Sequence, residues 1–388
     1  MTPPALSAAL TAVSHSGIRE ISHEASQRPG TIRLEAGQPN FRTPAHVAEA
    51  AKLAIDEGWT FYTHAQGIVT LRERLAAKLE LVNGIHTTPE RIVCGPGGVG
   101  VIAAAIGALV NPGDEVLLPD PRWPNYDIAL AWAGGRPVPY PCPRENGWLP
   151  DLDRLRALIT SRTRMLIVNS PHNPTGAVYG AELMRELGAI AERAGLWIVS
   201  DECYDQILLD GAAVAPSMAL NADPERVVAA FTFSKTYAMT GWRLGYATAA
   251  APVIDNMTKM LESFSSGSNT IAQKAGEAAL DGPQDCVAEM VSAYRRRRDL
   301  VVDLLREGGL LTTVPDGAFY ALAAVGHSGL DSRAFAFRLL RERGVGVAPG
   351  TAFGRVAADA VRISLASSDQ DLREGVGRLC ELAADLGR

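Results

Sequence analysis

Lys235 sits in the stretch Phe231-Thr232-Phe233-Ser234-Lys235-Thr236-Tyr237, at the end of an apolar run that begins at Val227. That run reads as a buried strand, so it delivers Ser234 and Lys235 where backbone donors come free. An amine in such a place serves either as a solvated surface charge or, once partly desolvated, as a group able to attack a carbonyl. Arg243 follows a short loop later, and a forked cation among hydroxyls suits a phosphate.

Other strand ends carry chemistry of the same scale. Asp201-Glu202-Cys203-Tyr204 follows the apolar run Leu196 to Ser200, and Pro171-His172-Asn173-Pro174-Thr175-Gly176 follows Arg164 to Ser170. In open α/β sheets the carboxyl ends of strands are the usual location of ligand sites. Gly95-Pro96-Gly97-Gly98-Val99-Gly100 stands between a strand ending at Cys94 and an apolar helix that continues to Val110. Glycines there allow a tight turn that brings free amides and a positive helix end to an anion, which makes the backbones of Gly98 and Val99 phosphate donors. It is not a nucleotide loop, because the P-loop lysine is missing and the GxGxxG frame fails. Arg362, in Val361-Arg362-Ile363-Ser364, can present two parallel donors to a carboxylate or make a structural ion pair.

The stretch from Ser234 to Tyr246, Ser-Lys-Thr-Tyr-Ala-Met-Thr-Gly-Trp-Arg-Leu-Gly-Tyr, resembles the cofactor-lysine motif of class I/II aminotransferases, the aspartate aminotransferase-like enzymes of fold type I that depend on pyridoxal 5'-phosphate (PLP). Further motifs keep family order, so the resemblance spans nearly the whole chain. It implies a Schiff base on Lys235, with Thr232, Ser234, Arg243, Gly98 and Val99 at the phosphate. Trp123, in Asp120-Pro121-Arg122-Trp123-Pro124-Asn125-Tyr126, would stack on the pyridine ring, and Cys203 would pack under the opposite face with no catalytic role. Asn173, in a turn that the family makes with a cis Asn173–Pro174 bond, would share the phenolic oxygen with Tyr204. Asp201 would pair with the ring nitrogen. Arg362 would grip the substrate carboxylate, next to Asn173 and the backbone of Gly37 in Ala36-Gly37-Gln38-Pro39-Asn40-Phe41. Ile18 would belong to a mobile N-terminal wall, and Tyr62 would reach the phosphate of a neighbouring subunit, which implies a homodimer with shared active sites.

The implied reaction moves an amino group between an amino acid and a 2-oxo acid by a ping-pong route, with Lys235, Asp201 and Tyr204 as the catalytic residues. The same framework hosts C–S β-lyases and cyclising synthases. Relatives specialised for dicarboxylates use a second arginine, and none lies in Ser263 to Thr270, where it is sought first. An apolar, aromatic or small amino donor is therefore expected.

These residues need a scaffold, and the fold the resemblance implies is α/β: a large domain, residues 40–284, with a mixed, mostly parallel seven-stranded sheet between helices. Residues 1–39 and 285–388 would form a smaller α+β domain with an N-terminal arm. The chain's 388 residues, 47% hydrophobic, exceed what one core usually serves, which agrees with two domains. Lys+Arg 37 against Asp+Glu 43 gives a net charge of −6, with both signs interspersed, so no footprint for nucleic acid or an anionic membrane is present. Five cysteines without CxxC spacing argue against a disulfide framework or a zinc site, and a reducing cytoplasm is expected. Residues 1–21 lack a signal peptide's apolar core, and no apolar run is long enough to cross a bilayer.

Overall fold

The computed structural model describes residues 4–13 and 16–387. The remaining residues of the expected N-terminal arm, 1–3 and 14–15, lie outside the described set. In chain order the strands are β1 (Ile32–Arg33), β2 (Ile92–Gly95), β3 (Glu115–Asp120), β4 (Arg136–Pro141), β5 (Thr163–Asn169), β6 (Trp197–Asp201), β7 (Val227–Thr232), β8 (Gly245–Thr248), β9 (Tyr320–Ala324), β10 (Val345–Gly346), β11 (Ala348–Pro349) and β12 (Ala360–Ser364).

A seven-stranded sheet in the order β2-β8-β7-β6-β5-β3-β4 forms the centre. Its interior pairings from β7 to β4 are parallel, and β8 alone runs against both of its neighbours, β7 and β2. The fold is therefore α/β with a mixed, mostly parallel sheet, as expected. Strands in such a sheet are apolar on both faces. On β5, Leu166 and Val168 enter one core while Met165 and Ile167 enter the other. Helices Val69–Asn83, Ala181–Arg193 and Thr270–Asp281 cover the first face, and Gly97–Leu109, Asn125–Ala133 and Ala251–Ser265 the second.

A third core lies around the antiparallel sheet β11-β12-β9, packed by helices Asp285–Glu307, Ser332–Arg343 and Asp369–Leu386. The N-terminal helix, Gly17–Ser26, buries Ile21 and Ala25 in the same core, and β1 pairs in parallel with β10. This core also takes Cys203, Tyr204 and Ala238 from the strand ends of the large sheet, so it closes over the edge where the chemistry-bearing turns emerge.

Two elements differ from the expectations. The buried run from Val227 ends at Thr232, and Phe233–Thr236 is a helical turn, so Lys235 stands on the first turn after the strand. The sequence reading contained no strand at β4, which carries Pro137, Pro139 and Pro141. It is an edge strand, where proline at alternate positions costs no ladder hydrogen bond.

Candidate active site

Strands β5, β6 and β7 end side by side, and their following turns carry Asn173, Asp201 and Lys235. The turns after β2 and β3 bring Gly98 and Trp123 to the same mouth. Together with residues of the third core they line a cavity of about 380 Å³. Its walls include Ile18, Gly37, Gly98, Val99, Trp123, Asn173, Asp201, Tyr204, Thr232, Ser234, Lys235, Arg243 and Arg362. Tyr62 is not among them, being 89% exposed on the surface.

Lys235 is placed by a local cap. Thr232 accepts from the Ser234 amide at 3.1 Å and donates its own hydroxyl to Leu244 O at 3.2 Å. The hydroxyl expected at the phosphate is thus engaged in holding the turn. Lys235 Nζ donates to Gly37 O at 2.6 Å. Burial pulls its pKa down to about 8. The nearby Cys203 thiol opposes that, while Arg362 and Arg243 add to it. The amine is therefore far easier to deprotonate than a surface lysine.

Asp201 is buried in the cavity wall and receives Tyr126 Oη at 2.5 Å and the Cys203 amide at 3.2 Å. Burial pushes its pKa up, and these two donors pull against that. Tyr126 is fully buried and meets Trp123 edge-on at 5.6 Å. It was not recognised from sequence. The signal was its place three residues after Trp123, in the first turn of the helix that follows the expected stacking residue.

Arg362 is 2% exposed. It donates to Asn173 Oδ1 at 2.9 Å and to Glu35 O at 2.7 Å, and its guanidinium lies 4.2 Å from the Tyr320 ring centre. Its Nε–H is buried and has no partner among the described residues. A fork with an orphaned donor fits a carboxylate. Tyr320 was also missed. Its hydroxyl sits 2.9 Å from that of Tyr204, and a Cβ at Gly37 would come within 2.6 Å of it. Only a glycine allows that approach. The Asn173–Pro174 bond is cis, as expected, and so are Asp120–Pro121 and Ser170–Pro171.

At the far end, Gly97–Leu109 points its amino terminus into the cavity beside Arg243. Cβ atoms at Gly97 and Gly98 would lie 2.4 Å from Arg243 Nη2 and 2.5 Å from Cys203 Sγ, so the cradle depends on bare backbone. Arg243 is held in the left-handed region, φ 55°, by bonds from its guanidinium to Thr240 O at 2.8 Å and Pro96 O at 3.1 Å.

This donor set fits one kind of group closely. It offers a forked cation and free amides for a phosphate, a carboxylate for a ring nitrogen, an amide NH2 and a phenol for a ring oxygen, an indole for a flat face, and an amine for a carbonyl. Fold and site define an α/β transferase that works through pyridoxal phosphate.

The family model for aminotransferase class I and II matches residues 29–379, and the chain belongs to that family. It is 40% identical to the aspartate/prephenate aminotransferase of Thermus thermophilus over 360 residues, 92% of this chain and 91% of that one. It is 38% identical to aromatic-amino-acid aminotransferase 2 of Thermococcus litoralis over 378 residues, 97% of each chain. The solved structure of the aspartate aminotransferase of T. thermophilus with maleate superposes with a TM-score of 0.93 at 37% identity, covering 98% of this chain and 100% of that one. The protein is a pyridoxal phosphate-dependent aminotransferase.

Proposed function

We propose that both halves of the transamination take place in the cavity around Lys235, with its lining residues in the following roles. The observation that carries this reading is a half-buried amine, its pKa drawn down to about 8, in one cavity with Asp201, Asn173, Arg243 and Arg362. Pyridoxal phosphate, when bound, supplies a carbonyl carbon for an amine and a ring that accepts electrons.

Arg243, Ser234 and the amides of Gly98 and Val99 hold the phosphate, and Thr232 supports them by fixing the turn. Asp201 holds a proton on the ring nitrogen, since opposite charges at contact favour both ionised forms. Asn173, whose Oδ1 is taken by Arg362, turns its NH2 to the phenolic oxygen with Tyr204, and Trp123 fixes the ring's tilt. Arg362 grips the α-carboxylate of the amino acid beside Gly37. Lys235 would hold the coenzyme's carbonyl end and, as a free amine beside a bound amino acid, would serve as the base for its Cα proton and as the acid that gives that proton back. A second 2-oxo acid then reverses the sequence, which gives ping-pong kinetics.

We place the residues in two domains, 40–284 and 1–39 with 285–388, joined in a cytoplasmic homodimer in which Tyr62 reaches the partner's phosphate site. Supporting the dimer, Phe61 and Tyr62 are 81% and 89% exposed, unusual for adjacent aromatics on a monomer's surface. Among the described residues no helix is long and apolar enough to cross a membrane.

Substituting Lys235→Ala should abolish turnover and the absorbance of lysine-bound coenzyme, and full activity in that variant would end the assignment. Incubation with amino acid panels plus 2-oxoglutarate or pyruvate should show amino exchange. Release of pyruvate and ammonia without exchange would favour a β-lyase instead.

A further inference from the structure

We infer that Tyr320 is a positioning residue for the coenzyme's ring oxygen: its hydroxyl donates to Tyr204 and so directs the Tyr204 proton at that oxygen, an assignment that rests on the role proposed above for Tyr204. The two hydroxyls sit 2.9 Å apart, on side chains that are 1% and 5% exposed. Neither has another hydrogen-bond partner among the described residues. Each phenol carries one proton and can also accept one, so one proton is spent inside the pair and the other is left to be placed. If Tyr204 donated, the spare proton would sit on Tyr320, against the Arg362 guanidinium, which accepts nothing. If Tyr320 donates, the spare proton sits on Tyr204, which lines the cavity with Asn173 and Asp201. An oxygen that carries negative charge in the cavity selects the second arrangement, because donors joined in a chain strengthen one another.

The fold fixes the ring that does this. Tyr320 opens β9, and its partner across the ladder on β12 is Ser364, two residues after Arg362. Tyr320 and Arg362 are therefore diagonal neighbours on one face of an antiparallel pair, within reach for an aromatic and a long side chain. The guanidinium lies 4.2 Å from the Tyr320 ring centre, Phe319 packs at 4.8 Å, and Tyr204 meets the ring nearly edge-on at 5.8 Å. At the hydroxyl end stands Gly37, where a Cβ would come within 2.6 Å of Tyr320 Oη, so bare backbone leaves the hydroxyl room to meet Tyr204.

The charges nearby keep this donor supplied. Burial holds the pKa of both phenols above its ordinary value, so both retain their protons. At Tyr320 the chief opposing influence is the Arg362 cation, followed by the bond to Tyr204, while Asp201 and the Cys203 thiol add to the effect of burial. A cation on the face of the donor ring makes its proton easier to share.

Visible absorbance of the holoenzyme, followed against pH, tests the assignment. A donor that stabilises negative charge on the ring oxygen lets the lysine-bound coenzyme give up its proton at lower pH, so removing one moves the midpoint up. Tyr320→Phe keeps the ring, its packing and its contact with Arg362 and deletes only the hydroxyl. It should raise the midpoint by about 0.4 to 1 pH unit, the worth of one neutral hydrogen bond. Tyr204→Phe removes a donor to a charged oxygen and should raise it by about 1 to 2 pH units. Adding Tyr320→Phe to Tyr204→Phe should move it by less than about 0.2 pH unit more, because the link through which Tyr320 acts is already gone. No change in Tyr320→Phe, or a full further rise in the double variant, overturns the assignment of Tyr320 and leaves that of Tyr204 standing. A midpoint unmoved by Tyr204→Phe would instead remove the proposed role of Tyr204, and the relay with it.

Discussion

Burial acts on Lys235 and Asp201 in opposite directions, lowering the pKa of the amine to about 8 and raising that of the carboxyl, and in each case it favours the neutral form. The consequence for the coenzyme-free protein can be worked out in sign. An unfolded chain keeps a lysine protonated up to about 10.4, whereas folded Lys235 gives up its proton near 8. Between those limits the unfolded state binds more protons, so stability rises with pH through the window and the penalty is fully present below it. The urea midpoint of apo-protein should therefore climb from about pH 8 to 10 more steeply in wild type than in Lys235→Met. Parallel curves for the two proteins would show that the amine is not desolvated. Tyr126 is the second test at this scale. Its hydroxyl donates to Asp201 at 2.5 Å, and hydrogen bonds to charged groups are worth about 1.5–3 kcal/mol. Tyr126→Phe should lower kcat/KM by roughly tenfold to a hundredfold and weaken retention of the coenzyme on dilution. Unchanged values on both measures would mean that the hydroxyl does not tune Asp201.

Among the elements, β8 does more than fill the sheet. A Cβ at Gly245 would come within 2.5 Å of Gly97 C and 2.6 Å of Gly98 N, so this strand is pressed directly against the backbone turn proposed for the phosphate. Backbone cannot rotate away as a side chain can, and overpacking of this kind costs about 1–3 kcal/mol. Gly245→Ala should lower the melting temperature and weaken coenzyme binding by about tenfold or more, both by displacing that turn. A variant that melts lower yet binds the coenzyme normally would separate the strand from the cradle. Elements of this kind mark the limits of the sequence. Buried central strands such as β5 and β6 were plain from their apolar runs, and the turns after them from Asn173-Pro174 and Asp201. Strand β4 was hidden because its prolines forbid a central strand and only pairing reveals an edge. Tyr126 and Tyr320 were hidden for another reason: a tyrosine in an apolar helix or strand looks like core until its hydroxyl is seen against Asp201 or Tyr204.

For the whole molecule, the proposed dimer makes a sharp prediction about mixtures. Lys235→Ala and Tyr62→Ala proteins, unfolded together and reassembled, should give hybrid dimers with one cavity carrying both defects and one carrying neither. Activity should rise above that of either variant alone, towards roughly a quarter of wild type if subunits pair at random and each site works independently. No recovery in mixtures shown to contain hybrids would place Tyr62 outside the active site. Residue order along the chain also shapes how the molecule is made. The large sheet draws on residues 92–248, one continuous stretch, whereas β1 at residues 32–33 must wait for β10 at residues 345–346. A ribosome emits the chain at about 5–20 residues per second, so the segment bearing Glu35 trails unpaired for many seconds after the central sheet has emerged. Nascent protein would thus hold Lys235 and Asp201 already assembled, but would gain its grip on the amino acid only when the last strands leave the ribosomal tunnel.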